Sequence, residues 1–173
     1  GVFDGERWSA VGGGLAESGD EAFDMVVFDA DGPGPEPSKL YVSTDATAVG
    51  GVAVHGIAVW DGSTWSACPG GFEGIPERLV VVDGRPLGFD REVLVATGGI
   101  FSADGEVFRH LACFDGQAWY PVLTGADGLA IPFVFDDDAA GPLPPAMYFP
   151  GHFNEIGGVR SGHPPLYGCC AAA

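Results

Sequence analysis

One seven-residue pattern recurs three times and limits what this chain can fold into. Val2-Phe3-Asp4-Gly5-Glu6-Arg7-Trp8 returns as Val59-Trp60-Asp61-Gly62-Ser63-Thr64-Trp65 and as Cys113-Phe114-Asp115-Gly116-Gln117-Ala118-Trp119, at Trp-to-Trp spacings of 57 and 54 residues. A second block aligns without gaps over 23 residues: Leu40 to Gly62 matches Leu94 to Gly116 and Met147 to Cys169. Within it Gly51, Gly105 and Gly158 coincide, as do the aromatics Trp60, Phe114 and Tyr167. Self-similarity at a fixed period marks a repeat architecture.

Each unit reads as short strands. Apolar runs rich in Val, Leu and aromatics are bounded by Asp, Gly and Pro. The first unit predicts strands over 22–28, 40–44, 55–61 and 64–68. The second predicts 77–83, 92–98, 109–115 and 118–122, and the third 129–135, 146–151 and 163–167. Asp-Gly between two such runs predicts a tight hairpin, because glycine supplies the positive φ. Composition agrees with this punctuation. Glycine and proline number 29 and 14 in 173 residues, yet 46% of the chain is hydrophobic, which is too apolar for disorder. No window keeps a helical period free of Gly or Pro. The fold class expected is all-β.

Charge narrows the partners. With 24 acidic against 7 basic residues the formal charge is −17, and Lys39 is the single lysine. Such a surface repels phosphate backbones and anionic membranes, so no nucleic-acid partner is expected. No apolar run approaches the length of a membrane span, so no membrane insertion is expected. The four cysteines, Cys68, Cys113, Cys169 and Cys170, lack paired zinc-ligand spacing. Cys68 and Cys113 occupy slots that hold Val or Leu in the other units, so they read as buried small hydrophobes.

Four-stranded units at this period fit propeller blades. The pattern resembles a kelch-like or galactose-oxidase-type β-propeller repeat. That family has a Gly-Gly pair after the second strand, an aromatic and an Asp ending the third, and a Trp in the fourth. Gly98-Gly99, Phe114, Asp115 and Trp119 match in order. The first unit has Thr44-Asp45 in place of the glycine pair and keeps Trp60, Asp61 and Trp65. The third has Gly151-His152 and Tyr167, then Gly168 in place of the Asp. The resemblance covers nearly the whole chain and implies a β-propeller segment over 1–173, with units at about 2–58, 59–112 and 113–173. It implies fold more than function, since propellers host enzymes, lectins and scaffolds.

The units leave a ring open. The chain enters at the tail of a third strand, supplies a fourth around Trp8, and closes on a unit without its fourth. Two arrangements follow: a segment of a longer propeller, or copies paired head to tail, the Trp8 strand of one completing the last blade of the next.

Antiparallel strands put the 1–2 and 3–4 turns at one end of each unit. That end collects Asp4, Asp29, Asp31, Asp61, Asp83, Asp90, Asp115, Asp136, Asp137 and Asp138. Asp29 and Asp31, and the run Asp136, Asp137 and Asp138, offer oxygen ligands of the kind Ca²⁺ takes, although the EF-hand spacing is absent and Asp is also a good turn residue. The other end carries the 2–3 loops. Their polar residues, Asp45, Asp104, His152, Asn154, Glu155 and Arg160, are the expected ligand contacts, a position taken from the family resemblance. His152 and His163 with Glu155 match no metal spacing. No nucleophile elbow, zinc-protease motif or P-loop occurs. The function expected is a non-catalytic binding or structural module, extracellular or at a cell surface, with a protein, a neutral glycan or its own copies as partner. The alternative is part of a propeller enzyme of hydrolase or oxidase type.

Overall fold

The computed structural model describes residues 1–103, 106–135, 145–160 and 171–172. The chain opens with a hairpin of β1 (Val2–Phe3) and β2 (Trp8–Ser9). β3 (Ala22–Phe28) and β4 (Lys39–Thr44) lead into a small ribbon, β5 (Ala48–Val49) and β6 (Val52–Ala53), then β7 (Ile57–Trp60) and β8 (Trp65–Ala67). Strands β3-β4-β7-β8 form the first antiparallel sheet. β9 (Glu73–Asp83), β10 (Glu92–Ala103), β11 (Glu106–Val107), β12 (Leu111–Phe114) and β13 (Trp119–Pro121) follow. They form the second sheet in the order β9-β10-β12-β13, with β11 folded against the far end of β10. The third unit holds β14 (Leu129–Ala130), β15 (Phe133–Phe135), β16 (Ala146–Phe149), β17 (Gly151–His152), β18 (Glu155–Ile156), β19 (Val159–Arg160) and β20 (Ala171–Ala172). Its main sheet is β15-β16-β20. The protein is all-β, with one short 3₁₀ turn at Arg85–Leu87 and no α-helix among the described residues.

The sequence register reappears as strand register. Leu40 lies opposite Trp60, and Leu94 opposite Phe114. Phe3, Trp60 and Phe114 pair with Trp8, Trp65 and Trp119. The three Asp-Gly turns share one construction. Oδ1 of Asp4, Asp61 and Asp115 accepts the amide N–H groups two and three residues on, at 2.7–2.9 Å. The glycines Gly5, Gly62 and Gly116 sit at φ +103°, +98° and +99°. Each 2–3 loop also carries a two-residue ribbon at an equivalent place: Val49 on Val52, Ala103 on Glu106, Ile156 on Val159. Positive φ at Gly50, Gly51, Gly157 and Gly158 makes the tight turns of two of them.

The third unit departs from its expected strands. The run 129–135 is split, because Pro132 has no N–H to donate and Pro150 lies on the partner strand. β14 pairs with β17 and β15 with β16, and Ile131 N–H bonds the Pro150 carbonyl across the break at 2.8 Å. The strand expected at 163–167 lies outside the described residues, and the strand beside β16 is β20.

The sheets bury alternate residues on opposite sides. Leu94, Ala96, Ala112 and Phe114 of the second sheet join Phe28, Tyr41, Ile57 and Val59 of the first in one core. Val93, Val95, Leu111 and Cys113 face the other way and join Met147 and Phe149 of the third. The second sheet is thus covered on both faces. Phe114 anchors the first junction, with ring centroids 6.4 Å from Phe28 and 6.3 Å from Tyr41. The indole N–H groups of Trp65 and Trp119 reach back to the carbonyls of Val11 and Pro69 at 3.1 and 3.0 Å. Cys68 and Cys113 are buried free thiols inside these cores, as their slots in the repeat require.

Candidate functional site

The loop end of the junction between the second and third sheets holds a cleft of about 610 Å³. That volume is in the range of small-molecule sites. One wall comes from the second unit: Phe101 at the end of β10, Val107 on β11, and Arg109 and His110 entering β12. The other wall comes from the crossing into the third unit, Thr124 to Asp127, and from Glu155 on β18.

His110 sits under backbone strain. Its φ is +61°, and the repeat puts Gly56, at φ +80°, in the same place. A side chain in left-handed backbone costs about 1–2 kcal/mol. The imidazole Nδ1 lies 2.7 Å from the Gly98 carbonyl oxygen. A carbonyl only accepts, so Nδ1 is the donor of this bond. Phe101 meets His110 edge to face at 5.6 Å and is 57% exposed. Leu123, beside the cleft wall, is the other non-glycine at positive φ among the described residues, at +54°.

The opposite wall is held by Asp127. Its Oδ1 accepts the Asn154 and Glu155 amides at 2.7 and 3.0 Å, and its Oδ2 accepts the Asn154 side-chain amide at 3.2 Å. Donation from the Glu155 backbone, with further help from Asn154, holds the Asp127 carboxyl below its ordinary range. Glu155 also faces Arg160 Nε at 3.9 Å. The cleft therefore sets Phe101, Val107 and Phe108 against Asp127 and Glu155, with Arg109 and Thr124 also lining it.

Of the residues expected at the ligand end, Glu155 lines the cleft, while Asn154 and Arg160 bond to its wall. His152 is exposed on β17 and stands apart from the lining. Asp45 lies in the first unit, where its Oδ1 accepts the Glu21 amide at 2.7 Å. Asp104 lies outside the described residues, as do Asp136, Asp137 and Asp138. Asp29 and Asp31 flank a carbonyl tied down by Arg91, whose guanidinium donates to Ala30 O at 3.2 Å and also to the Asp115 carbonyl. Their Oδ1 atoms are buried without hydrogen-bond partners among the described residues, while Asp31 Oδ2 accepts the Glu36 amide at 3.1 Å. Among the described residues no three His, Cys, Asp or Glu side chains converge as a metal-ligand group.

The sequence reading missed Phe101, Arg109, His110 and Thr124. One signal for His110 was visible: the ungapped repeat puts it in the slot of Gly56. Compared with known proteins, the chain matches no family model, no curated protein and no solved structure.

Proposed function

We propose that the chain is a run of kelch-like β-propeller blades serving as a non-catalytic binding module, with a neutral saccharide held in the cleft between the second and third units. The observation that carries this reading is His110, kept at φ +61° on the cleft wall in the slot where the first unit has Gly56. Strain of this kind gathers at ligand sites, where the surroundings over-determine it. The saccharide class is supported by the chemistry of the walls. The exposed ring of Phe101 offers a flat apolar surface, and Glu155, Thr124 and Arg109 offer hydrogen bonds around it. A net charge of −17 disfavours anionic ligands. The propeller reading is supported by antiparallel four-stranded sheets that recur in register and stack face to face. The acidic, lysine-poor surface fits a module acting outside the cell or at its surface.

The test is an amide-resolved NMR titration with a panel of neutral mono- and oligosaccharides. Binding moves the amides of Phe101, His110, Thr124 and Glu155, and Phe101→Ala abolishes the effect while leaving the fold intact. Shifts confined to other loops, or none with any neutral sugar, overturn the reading. Chemical conversion of a sugar in the same tube favours the enzyme alternative.

A further inference from the structure

The two internal junctions show what each face of a unit needs. At the first, Val26, Phe28 and Tyr41 form the forward face of the first sheet and join the core shared with Leu79, Val81, Leu94 and Phe114. At the second, the same positions are Val80, Val82 and Val95, which join Met147 and Phe149. Strand register carries these positions into the third sheet. Phe133 pairs with Tyr148 as Val80 pairs with Val95 and Val26 with Tyr41. The forward face of the third sheet is therefore Phe133, Phe135 and Tyr148. Nothing described covers it: Phe135 is 53% exposed, while its equivalents Phe28 and Val82 are 2% and 5% exposed. Its rings already pack together, Phe133 stacked on Tyr148 at 5.4 Å and Phe135 edge-on to Tyr148 at 6.2 Å.

The rear face of the first sheet is open as well. Met25 and Val27 stand where Leu79 and Val81 stand in the second sheet, and they are 59% and 62% exposed. Leu79 is buried at the first junction, against a forward face of the kind the third sheet presents. The two open faces are the two halves of one more junction, and the same chain carries both.

We propose that a second copy of the chain supplies the missing partner: Phe133, Phe135 and Tyr148 of one copy pack on Met25 and Val27 of the next. The contact is heterologous, so it closes into a ring where the rotation per copy permits and otherwise extends. Two copies bring six such sheets, within the range that closes in propellers. The apolar faces meet between bodies of charge −17, so added salt strengthens association by screening the mutual repulsion.

The test is light-scattering mass across protein concentration and salt, for the full chain and for Phe135→Glu and Val27→Glu. Both positions are exposed in a single copy, so each variant folds, as circular dichroism checks. The wild type gives multiples of 17.8 kDa that grow with salt. Each variant alone weakens association at least about a hundredfold, because a charge is left unpaired in an apolar contact. An equimolar mixture of the two variants restores a dimer and nothing larger, since one intact forward face meets one intact rear face. A wild type that stays at one chain mass overturns the proposal and leaves the aromatic face to a different partner. Loss of association in Phe135→Glu but not in Val27→Glu overturns it in favour of a face-to-itself dimer. Saccharide binding in the cleft is unaffected by either variant, so failure here is separable from failure of that reading.

Discussion

Replacing the turn glycines one at a time separates local backbone strain from the packing between units. Gly62 and Gly116 are equivalent in the repeat and adopt nearly the same φ, +98° and +99°. A Cβ on Gly62 meets nothing within 4 Å, so Gly62→Ala carries only the conformational cost, about 1–2 kcal/mol. A Cβ on Gly116 would overlap the carbonyl oxygen of Ala30, in the β3–β4 loop of the first unit. That carbonyl also accepts from Arg91, so moving it disturbs a second contact. Forced displacement of packed groups adds about 1–3 kcal/mol, giving about 2–5 kcal/mol for Gly116→Ala. Urea unfolding followed by tryptophan fluorescence measures both variants. If Gly116→Ala falls within about 0.5 kcal/mol of Gly62→Ala, the first unit's loop does not rest on the second unit's turn, and the stacking argument fails.

His110→Gly loses the Gly98 hydrogen bond as it relieves the left-handed backbone, about 1 kcal/mol each, so stability is expected to change by less than about 1 kcal/mol while saccharide binding is abolished; unfolding midpoints and NMR titration check the pair, and a loss above about 2 kcal/mol contradicts the strain. Backbone donation, from Arg7 then Glu6 to Asp4 and from Thr64 then Ser63 to Asp61, holds both carboxyls below their ordinary range. Burial pushes Asp115 upward, but the Ala118 and Gln117 amides, the Tyr120 hydroxyl and Arg91 outweigh it and leave the group lowered. Groups lowered in the fold add stability above the unfolded carboxylate range and lose it as pH falls through their folded values, so the urea midpoint drops below about pH 4. Asp61→Asn reduces that acid loss, and an unchanged pH profile in the variant counts against the turn account. Burial pushes the thiols of Cys68 and Cys113 up to about 12, so in a Cys169→Ser, Cys170→Ser background no thiol reacts with a disulfide reagent at pH 8 until urea unfolds the chain.

Much of the fold was legible because its punctuation is local. An Asp that accepts two backbone amides and a glycine at positive φ make the same turn wherever the pair occurs. So Asp4-Gly5, Asp61-Gly62 and Asp115-Gly116 gave their hairpins and, through them, the register of the third and fourth strands. The ribbons in the 2–3 loops were half legible. The coincidence of Gly51 and Gly158 marked the positions, but a two-residue pairing carries too little pattern to separate from loop. The break at Pro132 is a missing donor, and the apolar run hid it. The cleft was the least legible part. Its walls come from two successive units, so Phe101 and Glu155 meet only once the sheets have stacked, and no spacing within one unit encodes that meeting. Asp45 shows a related gap: the sequence does not reveal that its Oδ1 accepts the Glu21 amide.

The central claim is that successive sheets stack, the second covered on both faces, so that the cleft forms at their junction. Nuclear Overhauser contacts between side chains of different units test it most directly. The account predicts cross-peaks from Phe28 and Tyr41 to the Phe114 ring, whose centroids lie 6.4 and 6.3 Å away, and from the Phe72 ring to that of Trp119 at 4.5 Å. Cross-strand contacts within each sheet, without any contact between Phe28 or Tyr41 and Phe114, would contradict it.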